Sequence, residues 1–200
     1  MQTRRFATML WGALSLALCL GLCRHSQAVE YSVQRRDYRF NTYFEVGADG
    51  APVGTVLRER WRQPMRAHYV LYSSDGSVQA QGTTRLWSPG LIFSWAQTVD
   101  IADAQGKSLY TLSGDFLTTE AARFRLKTPA GETVALLYVD LATTGCVATH
   151  PDNSFTILTR YYRNQVSDYT HERWDFTTVP EGPVAPAIWQ LIGAFLADTW

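Results

Sequence analysis

Apolar and polar side chains alternate in short runs along most of this chain, and polar turns interrupt them at intervals. The turns are Ala48-Asp49-Gly50, Ser74-Asp75-Gly76, Ala104-Gln105-Gly106 and Pro129-Ala130-Gly131, with Pro151-Asp152-Asn153 as a looser fifth. Period-two alternation bounded by turns predicts strands, and Asp-Gly and similar pairs supply the positive φ angles that tight hairpins need. Strands are expected over 38–46, 53–61, 68–72, 78–86, 91–102, 109–112, 124–126, 134–141, 155–162 and 169–178. That amounts to roughly ten to twelve short strands with uncertain ends. No long helical run interrupts them, so parallel crossovers have nothing to be built from, and an antiparallel sheet or barrel is expected.

The pattern changes at the end of the chain. Pro180-Glu181-Gly182-Pro183 breaks the alternation, and Pro186 stands where the first turn of a helix tolerates proline. A helix is expected over 185–198. On a wheel, Ile188, Trp189, Leu191, Ile192, Phe195 and Leu196 cover most of the circumference, leaving Gln190 and Asp198 as the polar positions. A helix apolar on all sides lies either in a core or in a membrane. This one falls short of the roughly 20 residues a span requires, so burial in the concavity of the sheet is expected. A terminal aromatic such as Trp200 also occurs in outer-membrane barrels, but Gly193, Asp198 and the i, i+3, i+4 spacing oppose a last membrane strand.

The first residues have the grammar of a secretory signal: Arg4 and Arg5, an apolar stretch over 6–23, then Arg24-His25-Ser26-Gln27-Ala28 with small residues at Ser26 and Ala28. Cleavage after Ala28 would leave 29–200 as a single exported domain, periplasmic or secreted. The alternative is an uncleaved N-terminal membrane anchor, since 6–23 reaches the lower end of a bilayer span. Lipoprotein processing fits poorly, because Leu18 and Leu22 precede Cys19 and Cys23 where a small residue is wanted. Removal of the signal leaves Cys146 as the sole cysteine, so no internal disulfide can form and the core must hold the domain together. It also leaves fifteen basic against eighteen acidic side chains, a net of −3, which argues against nucleic acid as a partner.

The stretch from about Phe93 to Asp140 carries a repeated wording: Thr98-Val99-Asp100-Ile101-Ala102-Asp103-Ala104-Gln105-Gly106, then Leu109-Tyr110-Thr111-Leu112-Ser113-Gly114, then Arg123-Phe124-Arg125-Leu126 and Gly131-Glu132-Thr133-Val134-Ala135. It resembles the tubby-like barrel superfamily, and within it the LURP-one-related and phospholipid-scramblase-like proteins. The resemblance implies an all-β fold with one C-terminal helix: a closed antiparallel barrel of about ten to twelve strands wrapped around that helix. It also implies contact with phosphoinositides or membranes through basic residues, and it brings no catalytic motif.

Candidate binding residues follow from side-chain chemistry. Arg58, Arg60 and Arg62 share one strand face by period-two spacing, with Arg66 just beyond, and a row of guanidinium groups can hold phosphate or carboxylate bidentately. A solvated outer face paired with acids explains the same row without a ligand. Arg35, Arg36 and Arg39 form a second, weaker cluster. In 86–95, Trp87, Leu91 and Ile92 flank a Pro-Gly break; exposed, they would meet a membrane interface or partner, and otherwise they are core at a barrel corner. Neither His171-Glu172-Arg173-Trp174-Asp175 nor Cys146 with His150 has metal-ligand or nucleophile spacing, so no metal, cofactor or catalytic residue is expected.

The expected function is therefore that of an exported non-enzymatic barrel binding an anionic or amphipathic ligand, a membrane surface or a protein partner. A lipocalin-like carrier of a small hydrophobic ligand is the alternative, and it requires an open cavity with the helix outside. An enzyme built around His171 ranks third.

Overall fold

In the computed structural model, which describes residues 28–37, 41–59, 66–115, 121–140, 145–165, 172–178 and 182–200, the alternating runs become twelve antiparallel strands in one closed barrel. In chain order they are β1 (Val29–Asp37), β2 (Thr42–Ala48), β3 (Ala51–Glu59), β4 (His68–Ser73), β5 (Val78–Thr84), β6 (Thr98–Asp103), β7 (Ser108–Gly114), β8 (Ala121–Lys127), β9 (Thr133–Asp140), β10 (Gly145–His150), β11 (Asn153–Gln165) and β12 (Glu172–Thr178). Each pairs with its sequence neighbours, and β1 also pairs with β12, Val33 opposite Trp174, so the sheet closes without an open edge. Residues 1–27, nearly all of the expected signal segment, lie outside the described residues, as do Arg39, Arg60, Arg62 and His171.

Antiparallel neighbours put successive connections at alternate ends of the barrel. The Gly-bearing turns after β2, β4, β6 and β8 all close one end, where Gly50, Gly76, Gly106 and Gly131 have φ of 80 to 87°. An L side chain rarely adopts that angle. Aspartates finish these turns: Asp75 Oδ1 accepts Ser77 N at 2.8 Å, and Asp103 Oδ1 accepts Gln105 N at 3.0 Å and Lys107 N at 2.8 Å. The longer connections, 85–97 among them, lie at the opposite, loop end.

Three sequence expectations change. β1 and β10 were not foreseen. In β1 the apolar series Val29, Tyr31, Val33 is cut by Arg35, which continues the inward face opposite Phe44. In β10 the inward residues Cys146 and Ala148 are small, so the strand carries little hydrophobic contrast, and Cys146 is buried mid-barrel. The expected strand over 91–102 is instead two single 3-10 turns, Pro89–Leu91 and Ser94–Ala96, followed by β6 from Thr98. Pro89 seeds the first turn, and the apolar residues that follow lack a period of two.

α1 (Pro186–Thr199) fills the axis, one residue displaced from its expected span. Ala185 is extended and Pro186 opens the first turn, where its missing N–H has no helical acceptor to lose. Every residue from Ile188 to Ala197 is buried, and the helix packs on β1 and β12 and also on β4 and β5. Gly193 permits that approach, because a Cβ there would sit 3.2 Å from Val33 and 3.3 Å from Tyr161. Phe195 meets Tyr69, Phe124 and Trp200 edge to face, at centroid separations of 6.4, 5.9 and 6.3 Å. Tyr161 donates its hydroxyl proton to the Trp189 carbonyl at 2.9 Å, tying the barrel wall to the helix backbone.

The buried phenols make stability depend on alkaline pH. Burial first, and for Tyr69 next the Asp198 carboxylate, push the pKa of Tyr69 and Tyr161 well above the ordinary 10.0. A phenol with a higher pKa folded than unfolded contributes stability that is fully present below the unfolded value and is lost as pH rises beyond it. Unfolding free energy measured in urea should therefore decline once pH passes about 10. Stability that stays level to about pH 11 would contradict this account.

Candidate functional site

The loop end presents two assemblies, one inside the mouth of the barrel and one on its rim. Inside, Arg58 shares the inward face of β3 with Val56, opposite the buried Thr42 of β2. Its Nε lies 2.7 Å from Asp198 Oδ2 near the end of α1. Tyr69 donates to the same oxygen at 2.7 Å, and Arg35 Nη1 stands 4.0 Å from Oδ1. The Asp198 side chain is only 6% exposed. A solvated outer face for Arg58 is thereby corrected: its guanidinium points inward and already faces a carboxylate of its own chain. Sequence spacing finds a shared strand face but says nothing about which side of the sheet that face is on.

On the rim, Arg66 and the 85–97 connection come together. The Ala67 carbonyl accepts Thr84 N at 2.9 Å and Ala67 N donates to Thr84 Oγ1 at 2.8 Å, so the chain just after Arg66 runs beside the start of the loop. Arg85 grips Asp100 with both sides of its fork, Nε to Oδ2 at 2.7 Å and Nη2 to Oδ1 at 2.6 Å, and Thr111 donates to Oδ1 at 3.1 Å. The Arg85 hydrogen bonds foremost, then Thr111 and the charges of Arg85 and Arg66, hold the Asp100 carboxyl below its usual range. Arg66 itself is exposed.

The loop is built rather than slack. Its base is pinned by Arg85 N to Thr98 O and Gly114 N to Gln97 O, both 2.8 Å, and its two turns close through Phe93 N to Pro89 O and Ala96 N to Phe93 O, both 2.9 Å. Trp95 packs against the core, Ala96 is buried, and the Phe93 and Trp95 rings stand 5.0 Å apart. Gly114 is required beneath it, since a Cβ there would lie 2.1 Å from the Trp95 carbonyl oxygen. This frame holds Trp87 and Ile92 out into solvent, 88% and 78% exposed. Leu91 belongs to the first turn, and only its backbone is described.

Other sequence candidates fare differently. Cys146 is fully buried and burial raises its thiol pKa, which leaves the thiol protonated and poorly nucleophilic. His150 turns toward its own hairpin, accepting Asp152 N at 3.2 Å. Arg173 and Asp175 do share an outward face and pair at 2.6 Å, while His171 lies outside the described residues. No group of metal-ligating side chains is found among the described residues. Sequence reasoning missed Arg85 as part of the rim and missed Phe155, an outward residue of β11 that is 93% exposed. The signal for Arg85 was its place one residue before the greasy loop; Phe155 had none, since it falls within an expected strand.

Comparison of the sequence with protein-family models and with curated proteins finds no match.

Proposed function

We propose that the chain is an exported, non-enzymatic barrel domain of the tubby-like kind that binds an anionic, amphipathic surface, a membrane foremost, through its loop end. The observation that carries this reading is the pairing of two exposed apolar side chains, Trp87 and Ile92, on a hydrogen-bonded loop with the exposed Arg66 on the connection that runs beside it. Apolar side chains held out at that exposure gain from entering a headgroup interface, and an arginine beside them, Arg66, can meet phosphate. Twelve strands around an apolar C-terminal helix support the tubby-like assignment. The lipocalin-like alternative needs the axis open, and α1 occupies it.

Sedimentation with vesicles tests the reading. Binding to vesicles containing anionic lipid should weaken roughly tenfold for Trp87→Ser and for Ile92→Ser, about 1.5 kcal/mol each for withdrawing part of an apolar side chain. Arg66→Ala should cost about fivefold on anionic vesicles and little on neutral ones. Wild-type protein that ignores anionic vesicles, or Trp87→Ser protein that binds as tightly as wild type, would refute the proposal.

A further inference from the structure

The turn end carries an apolar projection that the loop-end reading leaves unused. Between β10 and β11 the register jumps: Ala148 faces Thr159 and Thr149 faces Ile157, but His150 already faces Asn153. Ser154, Phe155 and Thr156 are therefore left without partners on β10 and bulge from the ladder. The bulge is ordered by its own hydrogen bond, Phe155 N to Asn153 Oδ1 at 3.0 Å, and it presents Phe155 at 93% exposure with Ile157 beside it at 46%.

The charges around this projection select its occupant. Among the described residues the turn end bears Asp49, Asp75, Asp103, Glu132 and Asp152 against two lysines, Lys107 and Lys127. Asp152 flanks the bulge directly, its side chain 90% exposed. An anionic membrane would repel this end, and two turn ends would repel each other. A surface that accepts it must offer cations beside exposed apolar side chains. The loop end of the same chain does so with the exposed Arg66, on the connection beside the loop that carries Trp87 and Ile92.

We propose that the protein self-associates head to tail, the acidic Phe155 bulge of one copy seating on the Trp87 loop of the next, beside its Arg66. This rests on the loop end being a binding face, and it adds a regulation of that face: a copy bound there excludes the membrane. The contact is heterologous, so it propagates into chains or rings instead of closing as a two-fold dimer. Two small projections make a limited interface, and the association is weak and sensitive to salt.

Sedimentation velocity across a concentration series, at low and high salt, tests it. Wild-type protein should form dimers and longer species that dissolve at high salt, while Phe155→Ser and Trp87→Ser each weaken association at least tenfold. An equimolar mixture of the two variants should recover association but stop at dimers, because one intact Phe155 and one intact Trp87 loop make a single interface. Asp152→Lys, which leaves the apolar contact in place, should weaken it as well. A wild-type protein monomeric at every concentration overturns the proposal, as does a mixture that stays monomeric. So does association that survives Trp87→Ser while depending on Phe155, which would mean a two-fold contact. Vesicle binding by Phe155→Ser protein judges the membrane reading separately: it persists if that reading holds, whatever the association state.

Discussion

Replacing Phe195 by alanine should lower the free energy of unfolding by about 3–5 kcal/mol, the range for emptying a buried phenylalanine site. The upper part of that range is expected here for a geometric reason. Phe195 is 1% exposed and wedged among Tyr69 of β4, Phe124 of β8 and Trp200. A helix between two layers can settle into a void, but a closed ladder of twelve strands sets its own circumference and cannot shrink around a smaller side chain. The cavity therefore stays, together with the contacts its lining has lost. Against a total of about 5–15 kcal/mol, the loss removes about a quarter of the stability or more. Urea denaturation followed by fluorescence measures it, and a cost below about 1.5 kcal/mol would show that the helix contributes little to holding the barrel.

Asp198→Ala should cost about 2–3 kcal/mol. A carboxylate in the last turn of a helix opposes the negative end of the macrodipole, so its own chain gives it no reason to be there. Its place is justified by what it meets: Arg58 at 2.7 Å, Tyr69 at 2.7 Å and Arg35 at 4.0 Å. Alanine leaves guanidinium groups and a buried phenol facing one another with no anion between them, and breaking a buried pair from one side costs about 3–5 kcal/mol. The arginine side chains are 28% and 25% exposed, so water offsets part of that penalty. Asp198→Asn, which keeps an acceptor for Tyr69, should cost less. A double-mutant cycle with Arg58→Met isolates the pair: the double variant should be more stable than the two single losses predict. Strict additivity would dismiss the pair as a determinant of stability. The same geometry bears on binding, since any loss of membrane affinity in an Arg58 variant would mix with damage to the fold, whereas Arg66 on the rim reports on binding alone.

Much of the architecture was present in the one-dimensional pattern. The Gly turns, the break after β12 and the all-apolar terminal helix are local signals, each set by backbone sterics or by the absence of polar groups within a few residues. Where the pattern failed, the cause was non-local. β1 was hidden because Arg35 interrupts its apolar alternation, and Arg35 is tolerated inward only because Asp37 and Asp198 stand near it at 3.1 and 4.0 Å. Residues 91–97 passed for the start of a strand because their apolar side chains serve two purposes, Trp95 and Ala96 covering the core while Ile92 faces water.

The arginines show the division most clearly. Their number, their types and the charge near neutrality are properties of the chain, and so is the expectation that a fold of short hairpins would close over an apolar helix. Which arginine faces a carboxylate inside and which faces solvent was decided by closure of the barrel. Closure sets a strand's inner face, and it brought Asp198, near the far end of the sequence, beside Arg58. Closure also sorted the connections, with tight acidic turns at one pole and the Trp87 loop with Arg66 at the other. Alternation along a strand has a period but no sense of inside or outside, and only the curvature of the complete sheet supplies one.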